Sequence, residues 1–418
     1  MISRVYTAAR TALASPASTG AETRPVAAQA KQRDLRLDFF RGLALLFIFI
    51  DHVPGNALAH VTMRAFGLSD AAEAFVLIAG FAAMLAYDQV FATQGLWAGV
   101  KQVGRRIREL YAAQLLLMAV CAGLLALAAR WFENPLYFEH VNLTPFSYDP
   151  LGAIWRGLLL YYQLGYINIL PLYIVLLAAF PALWWLMKRQ PYVALGLSTA
   201  LWLAAGFMGV NLPSWPEVYG WFFNPFAWQL LFTIGAFAAL KYKQGAALSR
   251  SPWLIAAAAT YAVFGFLVAA PWLSLPGWHP PRLIPLELLG TISKSSLSPW
   301  RAVHILAVAY LIAVLVPASA GWLKTRVSGW IIHCGRNGLD IFCLGTIFSF
   351  LGFIVFLEAG RSLATQAIVN GLGVGVMIWA ALWLSKRKEL RKVQAAVPSA
   401  PGSSMTDQAQ PVQIRSRS

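Results

Sequence analysis

The sequence predicts an all-α, polytopic membrane protein with about ten transmembrane helices. Of its 418 residues, 59% are hydrophobic and only 12% are charged, whereas soluble domains carry about a quarter charged residues. Apolar stretches recur along the chain between Lys/Arg or Pro/Gly clusters. Each is about 20 residues long, which is the length that a helix needs to cross a bilayer.

Ten stretches fit this pattern, and an eleventh is shorter. The predicted spans are 37–58, 69–89, 107–130, 166–187, 192–210, 225–241, 252–270, 301–320, 337–357 and 363–385. The segment 151–163, LGAIWRGLLLYYQ, is too short to cross comfortably. We interpret it as an interfacial or re-entrant helix, with an eleventh span as the alternative. An additional span there would invert every later loop.

The placement of Lys and Arg predicts that both ends of the chain are cytoplasmic. If the N-terminus is inside, most basic residues fall in the cytoplasmic segments and few fall on the opposite side. This bias sets the orientation of a membrane protein. The net charge of +16 is therefore explained by topology, so no nucleic acid partner is expected, and membrane lipid with anionic headgroups is the expected partner of these cations.

Two tails flank the predicted transmembrane domain, which covers residues 33–385. Residues 1–32 are rich in Ala, Ser, Thr and Arg, which favours a disordered cytoplasmic tail, with a mitochondrial transit peptide as the alternative. Residues 386–418 begin with a basic run and continue with linker composition, which predicts a second disordered tail. The three Cys and six His show neither a disulfide framework nor the spacing of a metal site.

The first span carries ionisable groups along one face. Residues 36–56 read RLDFFRGLALLFIFIDHVPGN, and on a helix Arg41 and His52 differ by about 20° and lie about 16 Å apart. Asp38 falls within about 40° of the same face. Taken singly, Arg36, Asp38 and Arg41 are ordinary boundary residues. Asp51-His52 before a Pro-Gly break instead predicts a general base, because ionisable groups inside a membrane are costly.

The second span adds a carboxylate to this end. Ser69-Asp70 forms a plausible N-cap, and Glu73 follows in the first turn. Capping alone accounts for Asp70. The connection between the first two spans is short, so we expect Glu73 to lie near His52. The predicted catalytic group is therefore His52 with Asp51 and Glu73.

Several segments, taken in order, resemble a known family. The segments are RLDFFRGLALLFIFIDHVPGN, FGLSDAAEAFVLIAGFAAMLAY, ILPLYIVLLAAFP (169–181), NPFAWQLLFTIGA (224–236), SKSSLSPWRAVHILAVAYLI (293–312) and CGRNGLDIFCLGTIFS (334–349). They look like OpgC-type inner-membrane proteins, which are associated with succinylation of osmoregulated periplasmic glucans and related to the acyltransferase-3 superfamily. The superfamily's motif Arg and catalytic His fall on Arg41 and His52. One departure is Asn337-Gly338, where the family pattern suggests a pair such as His-Ser.

The resemblance implies a ten- or eleven-helix bundle in the bacterial inner membrane that transfers an acyl group from cytoplasmic acyl-CoA to a carbohydrate outside. Succinyl-CoA is the favoured donor, a periplasmic glucan or related glycan is the favoured acceptor, and no bound cofactor is expected. His52 would accept the hydroxyl proton, and the CoA phosphates would contact a basic mouth. The candidates for that mouth are Arg36, Arg41, Arg105 and Arg106; orientation signalling is the simpler explanation for each loop arginine alone.

A succinyl group also carries a carboxylate, for which Lys294, Arg301 and His304 are the candidate contacts. Snorkelling at the interface is the alternative for these residues. The aromatic-rich loops 131–150 and 271–289 are candidates for stacking on sugar rings, although aromatic belts explain most such residues. Two other functions compete with the enzyme. One is a secondary transporter or export component for a glycan or small anionic solute, and the other is an inactive scaffold.

Overall fold

The computed structural model describes residues 34–139, 141–269 and 283–396, and the regular elements in these ranges are all helical. The helices are α1 (Leu35–Asp51), α2 (Ala71–Gln94), α3 (Leu96–Phe132), α4 (Leu136–Glu139), α5 (Pro145–Tyr148), α6 (Pro150–Leu158), α7 (Ile169–Arg189), α8 (Pro191–Met208), α9 (Pro225–Lys243), α10 (Pro252–Ala269), α11 (Pro299–Leu315), α12 (Arg326–Arg336), α13 (Gly338–Glu358) and α14 (Leu363–Ala396). The predicted tail 1–32, residues 397–418 and loop residues 271–282 lie outside the described ranges.

Each of the ten predicted spans overlaps one long helix. In the described part of the chain, seven helices are long and apolar enough to cross a membrane: α2, α3, α7, α8, α10, α13 and α14. The other three predicted spans fall on α1, α9 and α11, of which α1 and α11 have 17 residues each. The helical membrane class is therefore confirmed, while the number of spans and their orientation stay predictions.

Two predicted spans run several residues past the ends of the helices they describe. The first was predicted to residue 58, but α1 ends at Asp51 and the chain continues through turns and two short 3-10 segments. Pro54 has no N–H to donate, and Gly55 adopts a positive φ of 77°, so the α-helix cannot continue there. The prediction for 301–320 is likewise too long. Val316 precedes a proline and is extended, which ends α11 at Leu315.

The segment around 151–163 forms the short helix α6 of nine residues. At 1.5 Å per residue it is about 14 Å long, less than half of the hydrocarbon core. Its length favours an interfacial or re-entrant helix over an eleventh span. By contrast, α3 has 37 residues and is about 56 Å long. Its first three turns, which carry Arg105 and Arg106, therefore extend beyond a hydrocarbon core of about 30 Å.

Two helix pairs cross at glycines. A Cβ added at Gly42 of α1 would lie 1.9 Å from the Ile331 carbonyl oxygen of α12, and one at Gly235 of α9 would lie 2.1 Å from the Leu77 carbonyl oxygen of α2. Gly80 of α2 faces the Phe232 carbonyl oxygen in the same way, at 2.0 Å. Small residues let helix backbones approach closely where lipid supplies no hydrophobic driving force. These crossings fix α1 and α2 against the rest of the bundle.

The ends of the bundle are named here for the two residues of interest, the Arg41 end and the His52 end. A buried carboxylate on α2, Asp88, stabilises the Arg41 end. It accepts a hydrogen bond from Trp184 Nε1 at 2.8 Å, pairs with Lys188 at 3.2 Å and contacts Lys243. Because Lys188 and Lys243 belong to α7 and α9, Asp88 ties three helices together. The two lysines therefore have a structural partner besides their predicted role in orientation.

Candidate functional site

His52 directly follows α1 and faces a narrow crevice. Its backbone N–H donates to the Ile48 carbonyl oxygen at 3.1 Å, which holds the residue against the last turn of the helix. Its ring packs on Tyr166, with 4.7 Å between centroids. Nδ1 is buried and has no hydrogen-bond partner in the described ranges. The crevice is too narrow to hold a water molecule and is lined, besides His52, by Pro54, Val141, Tyr166, Ser349, Phe350 and Phe353.

Asp51 points to a different partner from the predicted one. Its Oδ1 accepts a hydrogen bond from Thr62 Oγ1 at 2.6 Å, and Thr62 is fully buried. This bond anchors the segment between α1 and α2 to the end of α1. Among the residues that the structure describes, neither Asp51 nor Glu73 bonds to the imidazole, so the structure does not bring these three side chains together as a hydrogen-bonded triad.

Glu73 instead belongs to a cluster of two acids and two bases, which we call the charge cluster: Asp70, Glu73, Lys294 and Arg301. Arg301 Nε donates to Glu73 Oε1 at 2.6 Å, and its terminal nitrogen lies 3.1 Å from Asp70 Oδ2. Lys294 Nζ donates to Asp70 Oδ2 at 2.6 Å. The buried Glu73 side chain also accepts from the Asp70 N–H, which completes a capping box at the start of α2.

The charge cluster pairs two acidic side chains with two basic ones. Asp70 contacts both Lys294 and Arg301, whose positive charges stabilise its carboxylate form. Both predicted cations for a succinyl carboxylate already contact protein carboxylates, so they are brought together with Glu73 rather than left open to a ligand.

His52 nevertheless lies in the field of this cluster. Burial has the largest influence on the ionisation of the His52 ring, and the charges of Lys294, Asp70 and Arg64 have smaller ones. Arg64 lies in the second 3-10 segment between α1 and α2 and is exposed. Unlike Lys294 and Arg301, it forms no ion pair within the described ranges. No sequence signal distinguished Arg64 from other loop arginines.

His304 stabilises the packing between neighbouring segments of the bundle. Its Nδ1 lies 2.7 Å from Ser69 Oγ, and it is buried with 3% of its surface exposed. Carbon and nitrogen atoms of its ring occupy the space that side chains at Gly67 and Gly265 would take. His304 thus holds the residues before α2 against α10 and α11, and the structure does not place it beside His52.

At the Arg41 end, two of the four predicted CoA contacts lie near Tyr173 of α7, whose side chain is half-buried. The charges of Arg41 and Arg106 both act on its hydroxyl group. Arg41 also lies 4.0 Å from Asp38, a buried carboxylate that pairs with Arg336 of α12 at 3.4 Å. Tyr173 is therefore a further candidate for contact with CoA. It was not predicted from the sequence, because an aromatic residue in an apolar run is not distinctive.

The other two predicted CoA contacts have separate surroundings. Arg36 donates to the Val316 carbonyl oxygen at 2.7 Å and so caps the end of α11. Arg105 lies on the exposed face of α3. In the described part of the chain, no group of three or more His, Cys, Asp or Glu is arranged to hold a metal ion.

Asn337, the departure from the family pattern, joins three helices. Its Nδ2 donates to the Ala381 carbonyl oxygen at 3.1 Å and to Ser385 Oγ at 2.8 Å, and its Oδ1 accepts from Lys388 at 2.7 Å. It therefore ties the junction of α12 and α13 to α14. This network gives the asparagine a structural role at the turn.

The family comparison agrees with the resemblance seen in the sequence. A family model described as OpgC protein matches residues 33–389, most of the chain. The searches of curated proteins and of solved structures found no significant match to this chain. The matched region contains both ends of the site, from Arg41 to the charge cluster. The chain therefore belongs to the OpgC protein family.

Proposed function

We propose that this protein is an inner-membrane O-acyltransferase that moves an acyl group, with succinyl favoured, from cytoplasmic acyl-CoA to a hydroxyl of a periplasmic glucan or related glycan. The observation that carries the proposal is the position of His52. Its buried Nδ1 has no partner among the described residues, and it lies at the opposite end of α1 from Arg41. Membership of the OpgC family supports the same reaction class.

His52 acts as the general base in this reaction. The imidazole accepts the proton of the sugar hydroxyl while the hydroxyl oxygen attacks the thioester carbon. The C–S bond then breaks, and the proton on the imidazolium passes to the sulfur of CoA, which leaves as the thiol. The positive charge of Arg64, which acts on His52, also favours the negative charge that develops on the carbonyl oxygen.

The donor enters from the Arg41 end. Arg41 and Arg106, which converge near Tyr173, would hold the phosphates of CoA, and guanidinium groups suit that task because they bind phosphate oxygens in pairs. The arm of the donor then reaches along α1 over about 16 Å to His52. Arg36 and Arg105 contribute positive potential at the same entrance.

Arg64 is the cation that we assign to the carboxylate of a succinyl group. Lys294 and Arg301 are neutralised by Asp70 and Glu73, so a third carboxylate would have to compete with two buried ones. Arg64 carries no such partner in the described ranges, and its charge reaches His52. The cluster holds the site in shape, and Arg64 selects the acyl group.

The test uses the purified protein in sealed proteoliposomes, with radiolabelled succinyl-CoA on one side and a glucan on the other. We expect labelled glucan, identified by mass spectrometry, to form across the membrane. Label that crosses without becoming covalently bound would contradict the proposal and favour a transporter. Absence of both products would favour the scaffold.

A further inference from the structure

A polar pocket at the His52 end has no assigned role. Its volume is about 360 Å³, within the size range of pockets that bind small ligands. We define the polar pocket by its hydrophilic lining residues, Asn142, Gln163, Asn168, Ser214, Glu217 and Ser295. They come from three separate parts of the chain, before α7, between α8 and α9, and before α11.

The lining offers unused hydrogen-bonding groups. The side chains of Asn142, Asn168, Ser214 and Glu217 take part in no hydrogen bond within the described ranges, although each faces the pocket. Two exposed aromatic rings, Tyr219 and Phe222, line it as well. Amides and hydroxyls beside aromatic faces suit a sugar, because a pyranose presents hydroxyl groups at its edge and C–H groups on its face.

The charge of the lining disfavours an anionic ligand. Among the residues that the structure describes, the lining contains one ionisable acid, Glu217, and no Lys or Arg. The nearest cation along the chain, Lys294, adjoins Ser295 but pairs with Asp70. A phosphate or carboxylate would meet a like charge with no compensating cation in the wall, whereas a neutral polyhydroxylated ligand would find acceptors and donors.

The polar pocket shares a wall with the His52 crevice. Asn142 and Gly165 face the pocket, while their chain neighbours Val141 and Tyr166 face the crevice. The Gly165 N–H donates to the Val141 carbonyl oxygen at 3.0 Å, which joins the two segments into one wall. A ligand in the polar pocket is therefore separated from the crevice by a single layer of backbone.

Two residues of that wall have a left-handed backbone conformation. Asn142 has a φ of 58° and Tyr166 a φ of 67°, a left-handed conformation that costs energy for a bulky residue such as tyrosine. The strain turns the Tyr166 ring onto His52 while the neighbouring backbone faces the pocket. Such strain persists where the surroundings hold it and is concentrated at functional sites.

The opposite side of the pocket is held in shape before any ligand binds. Asn211 Nδ2 donates to the carbonyl oxygens of Tyr219 at 3.1 Å and Trp221 at 2.9 Å. The Trp221 N–H donates to the Leu212 carbonyl oxygen at 3.0 Å. These bonds fold residues 211–222 into a closed loop that presents Tyr219 and Phe222. A preformed site loses less entropy on binding.

We propose that the polar pocket binds neutral sugar units of the acceptor glycan, so that an adjoining hydroxyl reaches His52 past the shared wall. The role of the pocket in catalysis rests on the proposed function, whereas sugar binding itself does not. The sequence pointed to loops 131–150 and 271–289 as aromatic platforms. Of the residues that line the pocket, Asn142 belongs to the first of these loops, and the aromatic residues belong to the segment 211–222.

Binding is measured by titration calorimetry on the full chain in lipid nanodiscs, with a neutral gluco-oligosaccharide and without acyl-CoA. The test variant combines Asn168→Ala with Glu217→Ala, and the matched control is Glu139→Ala, an exposed acid outside the pocket lining. We expect the double variant to bind about tenfold more weakly, because it loses two hydrogen-bonding groups, and the control to bind as the wild type does. A melting temperature equal to that of the wild type shows that each variant is folded.

Unchanged binding by the folded double variant would overturn the proposal, and so would no measurable binding by the folded wild type. Steady-state kinetics separate this outcome from failure of the proposed function. Glucan acylation with an unchanged KM for glucan in the double variant overturns the pocket alone. Pocket-dependent sugar binding without acyl transfer leaves the pocket assignment in place and contradicts the enzyme.

Discussion

At the scale of single residues, the cations near His52 have two different roles. Lys294 and Arg301 form ion pairs that stabilise the fold, whereas Arg64 is the cation that we assign to the substrate. Lys294 and Arg301 hold Asp70 and Glu73, and removing either partner of a buried pair leaves an uncompensated charge. Arg64 stands outside these pairs in the described ranges, but its charge reaches His52. Selectivity for the acyl group therefore depends on Arg64 in this account.

We predict that Arg64→Gln lowers the preference for succinyl-CoA over acetyl-CoA by about tenfold, because a hydrogen bond to a charged group is lost. The measurement is kcat/KM for each donor with the same glucan. Arg361→Gln is the matched control, since Arg361 is exposed near Gly55 at the same end. The assignment is contradicted if Arg64→Gln leaves the ratio of the two donors unchanged.

Some residues of the site could be predicted from the sequence, and others could not. Arg41 lies in α1 and His52 directly follows the last residue of that helix, so helical periodicity predicted that both lie on one face. Glu73 was expected near His52 from the short connection, but its partner Arg301 comes from α11. Tyr166 reaches His52 through a positive φ, a backbone state that side-chain patterns do not reveal.

At the scale of helices, apolar runs of about 20 residues predicted the elements well because the bilayer imposes that length. The ends of α1 and α11 were predicted less well, since hydrophobicity continues past Pro54 and Pro317 while helical hydrogen bonding does not. Short helices such as α12 were not predicted as separate elements. Its packing on α1 depends on Gly42, which in sequence resembles any other glycine.

Helix crossing gives a prediction at this scale. We expect Gly235→Ala to destabilise the protein by about 1–3 kcal/mol or more, because the added methyl group meets the α2 backbone at 2.1 Å. Gly206→Ala on α8 is the control, since a Cβ there has nothing within 4 Å. Thermal unfolding in detergent, followed by size-exclusion chromatography, compares the two. Equal melting temperatures would contradict the close crossing of α2 and α9.

At the scale of the whole molecule, the proposed reaction uses three separate positions. We propose that the donor phosphates bind at the Arg41 end, that the base lies at the end of α1, and that the acceptor sugar binds in the polar pocket behind the shared wall. The sequence predicted the first two, because positive charge and helical register are local properties. The polar pocket was not predicted, since its wall combines residues from three distant segments.

The central claim is that His52 is the base for acyl transfer, and its most direct test is glucan-dependent CoA release from succinyl-CoA by wild type and His52→Ala in lipid. We predict that the variant keeps the wild-type melting temperature and loses about 10²- to 10⁴-fold in kcat, the contribution of a general base. Glucan-dependent release at the wild-type rate in the folded His52→Ala variant would contradict the account.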